Sequence, residues 1–185
     1  MIASIQALDT AIVHAVQSIG PAWYDTALLL SFVIGSTKWL APAIVLVLLF
    51  IGKKRTAVEL FFIYAFSVVC LMVFKHLIHA DRPYWTDPSI IGYVSETDYG
   101  MPSGHAFLSI IILGWVWFRH PKSKTLSIGA GVLIFLIGLS RVYLGVHYPT
   151  QVLVGWGLGL LFLWMFYWID KKYFRPRSGY VEKSK

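Results

Sequence analysis

The chain has 185 residues, of which 57% are hydrophobic and only 14% are charged, and its formal net charge is +7. A soluble domain carries about 25% charged residues, so this composition disfavours a soluble globular enzyme, a disordered chain, a coiled coil and a nucleic-acid binder. A helix that crosses a bilayer needs roughly 20 mostly apolar residues, and several segments meet or approach that length. The sequence therefore predicts a single-domain membrane protein with several spans.

The N-terminal segment, residues 1–20, is predicted to be an amphipathic helix. Residues 2–19 place apolar side chains at roughly helical spacing, with Asp9, His14 and Gln17 between them. This pattern is typical of a helix that lies at a membrane surface, and Gly20-Pro21 should end it. The first residues lack the basic region of a signal peptide, so we expect no cleavage. The single cysteine, Cys70, excludes an internal disulfide.

Six apolar stretches follow, and each predicts a transmembrane helix. They lie at about 22–36, 39–52, 56–77, 105–118, 125–145 and 149–169. The first two are short, and the boundary between them near Gly35-Ser36-Thr37 is soft. The predicted fold is all-α: a bundle of six transmembrane helices over residues 21–170, preceded by the amphipathic helix and followed by a basic tail, 171–185.

Lysine and arginine residues predict the orientation of this bundle. Six spans place both termini on one side, together with most of the basic residues: Lys53, Lys54, Arg55, Arg119, Lys122, Lys124, Lys171, Lys172, Arg175, Arg177, Lys183 and Lys185. By the positive-inside rule that side is the cytoplasm. The opposite face keeps only Lys38, Lys75, Arg82 and Arg141. Because these four do not serve to orient the chain, we expect a chemical role for them.

Three short motifs occur at the outer ends of the predicted spans. They are Lys75-x6-Arg82-Pro83, Pro102-Ser103-Gly104-His105 and Ser140-Arg141-x5-His147. Arginine and lysine suit the binding of phosphate oxygens, and the free N–H groups of a helix start at Ser103 and Gly104 also favour an anion. One of the two histidines could attack phosphorus while the other protonates the leaving oxygen. No carboxylate cluster accompanies them, so neither a catalytic metal nor another cofactor is implied.

Together the three motifs resemble the signature of the type 2 phosphatidic acid phosphatase family, the membrane lipid phosphate phosphatases, whose core is shared with vanadium-dependent haloperoxidases. The resemblance covers roughly residues 20–169. It implies that His147 is the nucleophile that becomes phosphorylated and that His105 is the acid for the leaving group. It also implies a set of residues that bind the phosphoryl oxygens: Lys75, Arg82, Ser103, Gly104 and Arg141.

One position departs from the family pattern, which has an aspartate four residues after the nucleophilic histidine. Here that position is Gln151. A glutamine carbonyl can accept a hydrogen bond from the ring and orient it, but it offers no negative charge to a developing imidazolium. Three explanations stay open: lower activity, an altered residue, or an acid supplied from elsewhere. The available outer acids are Asp81, Asp87, Glu96 and Asp98.

The resemblance implies hydrolysis of a lipid-linked phosphate at the outer face of a bacterial-type inner membrane. The candidate substrates are undecaprenyl diphosphate, phosphatidylglycerol phosphate, phosphatidic acid and the 1-phosphate of lipid A. Two alternatives remain: a phosphotransferase that passes the phosphohistidine to a lipid hydroxyl, and a binder or transporter without turnover, which Gln151 would favour. The aromatic residues of loop 78–104 suit either a flap over a headgroup or a simple interfacial cover.

Overall fold

The computed structural model describes residues 2–31, 37–119 and 124–174, and within these ranges the chain is helical with no β-strand. The all-α prediction is therefore confirmed for the described part of the chain. The helices are α1 (Ile2–Gln17), α2 (Tyr24–Leu29), α3 (Thr37–Phe50), α4 (Lys54–Ile78), α5 (Pro83–Thr86), α6 (Gly104–Arg119), α7 (Lys124–Tyr143) and α8 (Pro149–Ile169). A 3-10 turn at Pro21–Trp23 precedes α2, and a π-helical turn at Asp170–Phe174 follows α8.

The count of six spans stays a prediction. By length and composition, two helical stretches of the described residues could cross a bilayer, Lys54–Thr86 and Pro149–Tyr173, while Ala41–Phe50, Gly104–Phe118 and Ser127–Tyr143 are shorter apolar helices. Of the first predicted span, 22–36, residues 32–36 lie outside the described residues. So do Lys122, the side chains of Lys38 and Arg119, and the predicted tail beyond residue 174.

The centre of the bundle is the close contact between α6 and α8. A Cβ atom at Gly155 would lie 2.7 Å from the carbonyl oxygen of Ser103, and one at Gly159 would lie 2.9 Å from that of Phe107. Such distances leave no room for a side chain, so these glycines let the two helix backbones touch, as small residues commonly do between membrane helices. This contact fixes the start of α6 against the first turns of α8.

Helix α1 packs on the bundle through a face that carries both polar and apolar residues, and Asp9 and Val13 are buried on it. The Asp9 carboxylate is buried and accepts a hydrogen bond from the backbone N–H of Thr150, 3.1 Å away, in the first turn of α8. Gln17 donates to the carbonyl oxygens of Ile91 and Tyr143 at 2.7 and 3.0 Å. The apolar Leu8 is 62% exposed. A helix with this arrangement can present apolar residues to lipid while its polar residues anchor it to the protein.

Candidate active site

The three sequence motifs meet at one end of the bundle. Lys75 lies in the last turn of α4, His105 in the first turn of α6, Arg141 in the last turn of α7, and His147 in the loop before α8. Helices α4 and α7 therefore run towards this end, and α6 and α8 run away from it. Arg82, the residue directly before α5, completes the group.

His147 is 1% exposed, and both of its ring nitrogens have polar neighbours. Nδ1 lies 3.2 Å from Oε1 of Gln151, and Nε2 lies 3.3 Å from Nη1 of Arg82. An amide oxygen only accepts and a guanidinium only donates, so this network assigns the proton to Nδ1 and the lone pair to Nε2. Burial lowers the pKa of His147 well below its usual value, and the charges of Arg82 and Arg141 lower it further. The ring is therefore neutral at neutral pH.

The Gln151 amide is held at both ends. Its oxygen also accepts from the backbone N–H of Tyr148 at 3.3 Å, and its nitrogen donates to the carbonyl oxygen of Asp81 at 2.7 Å. Gly100 packs directly on the amide, since a Cβ atom there would lie 2.6 Å from the same oxygen. Gln151 therefore holds the His147 ring in one tautomer through contacts that need no carboxylate.

Lys75 and Arg82 share one acidic partner, Asp98. The Lys75 ammonium lies 3.0 Å from Oδ2 of Asp98, and Nη2 of Arg82 pairs with Oδ1 of the same carboxylate. Arg82 is fixed further by donating from Nε to the carbonyl oxygen of Asp98 at 2.7 Å and from Nη1 to that of Val146 at 2.9 Å. Burial raises the pKa of Asp98, but its pairing with the two cations outweighs this effect and holds the pKa below its usual value.

Arg141 is almost fully buried and binds a second acid of the same loop. Its Nη2 lies 2.6 Å from Oε1 of Glu96, and its Nη1 donates to the hydroxyl of Ser31. The third guanidinium nitrogen, Nε, is buried without a hydrogen-bond partner in the described part of the chain. A buried donor of this kind is costly unless a ligand or water satisfies it.

The Pro102-Ser103-Gly104-His105 motif forms the start of α6. The backbone N–H of Ser103 donates to the carbonyl oxygen of Gln151 at 3.1 Å, so this turn is attached to α8. The buried hydroxyl of Ser103 has no hydrogen-bond partner among the residues described. Gly104 gives the backbone room, because a Cβ atom there would lie 3.0 Å from the Leu71 side chain.

A cleft of about 330 Å³ runs between α4, α6 and the loop that joins α5 to α6. It is lined by five of the predicted site residues, by two acids and by apolar side chains: Lys75, Arg82, Gly104, His105, His147, Glu96, Asp98, Tyr64, Val68, Leu71, Met72 and Leu108 among them. Ser103, Arg141 and Gln151 lie next to this lining, and Arg141 contacts Glu96, which lines the cleft. The structure thus brings all eight predicted residues to one end of the bundle, with five of them lining the same cleft.

Sequence reasoning missed what the loop acids do. Glu96 and Asp98 were two of four candidates for orienting His147, yet they pair with the cations instead. Of the other two, Asp87 binds Ser89 near the surface, and Asp81 contacts Gln151 through its backbone carbonyl. Ser31, which binds Arg141, was also missed. The sequence shows that these cations and acids are present, but which acid pairs with which cation depends on the conformation of the loop.

Comparison with known proteins places these features in one family. The family model described as the PAP2 superfamily matches residues 56–175. The chain is 29% identical to the phosphatidylglycerophosphatase B of Bacillus subtilis over 95% of its own length and 89% of that protein. It is 32% identical to an undecaprenyl-diphosphatase of Sulfolobus acidocaldarius over 64% of its length and 57% of that protein.

A solved structure agrees with these matches. The crystal structure of a transmembrane PAP2-type phosphatidylglycerolphosphate phosphatase from Bacillus subtilis superposes with a TM-score of 0.75 and 27% identity, covering 92% of this chain and 89% of that one. The superposition thus extends beyond residues 56–175, the part of the chain that the family model matches. The chain is a membrane protein that belongs to the PAP2 superfamily.

Proposed function

We propose that the protein is a lipid phosphatase that removes a terminal phosphate from a lipid headgroup through a phosphohistidine at His147. The observation that carries this proposal is the neutral, buried His147, whose Nε2 lone pair points towards Arg82 in a cleft that also exposes Lys75 and His105. The relatives named above as phosphatases of phosphatidylglycerophosphate and undecaprenyl diphosphate support the same activity.

The proposed reaction has two steps. In the first, Nε2 of His147 attacks phosphorus, the bond from phosphorus to the lipid oxygen breaks, and His105 gives its proton to that oxygen. In the second, water attacks the phosphohistidine, His105 takes a proton from the water, and orthophosphate leaves. Lys75, Arg82 and Arg141 bind the non-bridging oxygens, where fixed positive charge stabilises the transition state. These are positioned cations and histidines, so we propose that turnover needs no divalent metal.

Gln151 is the proposed positioning residue for this nucleophile. Its carbonyl oxygen accepts from Nδ1 of His147 at 3.2 Å and leaves Nε2 unprotonated for attack. As Nε2 bonds to phosphorus, the ring gains positive charge, and the Gln151 dipole stabilises that charge less than a carboxylate would. The proposal therefore includes a functional enzyme whose orienting group is an amide.

The apolar wall of the cleft supports a lipid substrate. Leu71 and Met72 on α4 and Leu108 on α6 continue from the charged end towards the middle of the bundle. Met72 is 58% exposed on the outer surface, so the cleft reaches the side of the protein that a bilayer would cover. A phosphate at Lys75 would leave its acyl or prenyl chain along this wall.

Phosphate release from a panel of lipid phosphates tests the function. Purified protein in detergent should release orthophosphate from phosphatidylglycerol phosphate or undecaprenyl diphosphate, with phosphatidic acid and lipid A 1-phosphate as further members of the panel. EDTA should leave the rate nearly unchanged, and orthovanadate should inhibit. Labelled phosphate that appears on a lipid hydroxyl instead of in solution would replace hydrolysis by transfer, and no reaction with any member would refute both.

We further propose that the site faces the outside of the inner membrane, with both termini in the cytoplasm. Lys54 and Lys124 begin the helices that run towards the site, so they lie at the opposite end. With Cys70 replaced, Lys54→Cys and Lys124→Cys should resist a membrane-impermeant thiol reagent in intact cells, while Asp87→Cys should react. The reverse labelling pattern would place the site in the cytoplasm.

A further inference from the structure

Two carboxylates of the loop between α5 and α6 form ion pairs with the cations of the proposed phosphate site. Asp98 bridges Lys75 and Arg82 with its two oxygens, and Glu96 pairs with Arg141 at 2.6 Å. A phosphate with three non-bridging oxygens would make the same kinds of contact with the same three cations. The acids therefore stand where the ligand oxygens are expected.

The balance of charge explains what these acids would do. Three cations next to a low-dielectric medium would attract any phosphate-bearing lipid, including the phosphodiester lipids that form most of a bilayer. The two carboxylates reduce the local charge from three positive to one positive. A phosphodiester carries one negative charge, whereas a terminal phosphate carries about −1.5 to −2 at neutral pH. Only the terminal phosphate brings enough charge to replace both acids.

We propose that Glu96 and Asp98 are specificity-determining residues, internal competitors that keep phosphodiester headgroups out of the site and yield only to a terminal phosphate or diphosphate. This inference rests on the proposed function, because it concerns the same three cations. It assigns the two acids a role in selecting the ligand rather than in orienting His147.

The loop is built so that the side chains can leave while the backbone stays. The hydroxyl of Tyr84 donates to the carbonyl oxygen of Glu96 and accepts from its N–H, both at 3.0 Å. The backbone carbonyl of Asp98 is held by Nε of Arg82 at 2.7 Å. The two side chains, however, are 30% and 53% exposed. A rotation about side-chain bonds therefore brings either carboxylate into water without opening the loop.

Asp98 also remains a charged competitor at lower pH than an ordinary aspartate would. Its pairing with Lys75 and Arg82 keeps the carboxyl pKa below the usual value, so the group stays ionised as the pH falls. An incoming phosphate must therefore replace a charged competitor at any pH near neutrality.

Direct binding of inorganic phosphate to the purified protein, at a pH where phosphate is a dianion, tests the inference without turnover. Glu96→Gln and Asp98→Asn keep the shape of each side chain and remove its charge. Each should bind phosphate roughly tenfold more tightly than the parent, because a competing charged hydrogen bond is lost. Asp87→Asn removes one charge from the same loop, away from the cations, and should bind phosphate like the parent. Thermal unfolding in the same detergent establishes that each variant is folded.

The second measurement uses phosphatidylglycerol in mixed micelles as the phosphodiester probe. It should displace bound phosphate from Glu96→Gln and Asp98→Asn but not from the parent or Asp87→Asn. Unchanged or weaker phosphate binding in both folded variants, or equal displacement by phosphatidylglycerol in all proteins, would overturn the inference. Because neither measurement requires hydrolysis, a protein that binds phosphate as described but releases none from any lipid would refute the proposed function alone.

Discussion

Two parts of the site are held by different kinds of contact. One is His147 with the residues around it, and the other is the loop that carries Glu96 and Asp98. His147 is buried, and its ring nitrogens contact Gln151 and Arg82. The helix that follows it, α8, packs closely against α6 at two glycines. The loop acids are partly exposed and rest on ion pairs. A buried, packed group has one available position, whereas an exposed side chain can exchange its partner with a ligand. The site thus combines a fixed histidine, the proposed nucleophile, with acidic side chains that we propose exchange with the ligand.

The largest expected effect comes from removing the proposed nucleophile, His147. His147→Ala should abolish phosphate release, since without Nε2 no group is placed to attack phosphorus. His76→Ala is the matched control, because His76 is an exposed histidine at the same end of the bundle whose ring contacts the backbone of its own helix. It should keep the parental rate. Equal losses in the two variants, measured as orthophosphate release, would contradict the assignment of His147.

Removing the orienting amide should have the next largest effect. Gln151→Ala leaves the Nδ1 proton of His147 without its acceptor, and we expect kcat to fall by roughly ten- to a hundredfold, the typical value of one hydrogen bond to a charged group. Gly100→Ala should reduce kcat in the same direction, because its Cβ atom would press on the amide. If Gln151→Ala matches the parent while Glu96→Gln is inactive, the loop supplies the orienting acid.

The burial of His147 also predicts how its ring is protonated as the pH falls. Burial lowers the pKa of His147 below its usual 6.5, so the folded protein resists a proton that the unfolded chain accepts. The ring should stay neutral as the pH falls past that value, and stability should decrease over the same interval. Nitrogen chemical shifts of histidine-labelled protein, with His147→Gln to assign the signal, would follow this directly. A midpoint at or above 6.5 would contradict the buried, neutral ring.

The smallest expected effect concerns the contact between α1 and α8. Asp9 accepts from the backbone N–H of Thr150 in the first turn of α8, one turn from the His147 loop. Asp9→Ala should cost about 1 kcal/mol, as for the loss of a helix cap, and lower the melting temperature by about 2–4 °C. Gln6→Ala, an exposed change on the same helix, is the control. Thermal unfolding in detergent measures both, and equal melting temperatures for the two variants would show that α1 does not stabilise α8.

The sequence predicts the fixed part of the molecule better than the exchangeable part. The stretches 56–77, 105–118 and 149–169 correspond to α4, α6 and α8, because long apolar runs with Gly, Pro or Lys at their ends leave little choice of structure. Alternating helix direction then brings the motifs to one end of the bundle. That is enough to collect the eight predicted site residues, although their catalytic roles stay predictions.

The pairing of the loop acids could not be read in the same way. Residues 79–103 contain little regular structure, and their path depends on long-range hydrogen bonds such as those between Tyr84 and Glu96. No periodic pattern encodes such contacts. The burial of Asp9 was also beyond the sequence, since an amphipathic pattern does not tell which single polar residue of a helix bonds to the protein instead of to water.

Trapping the covalent intermediate tests the central claim most directly. Protein mixed with a lipid substrate labelled in its terminal phosphate, then denatured within one turnover and digested, should carry the label on the peptide that contains His147. The bond should survive alkali and break in acid, as expected for a phosphorus–nitrogen bond. Label on another residue, or a full turnover of orthophosphate with no labelled protein at any time, would contradict a phosphohistidine at His147.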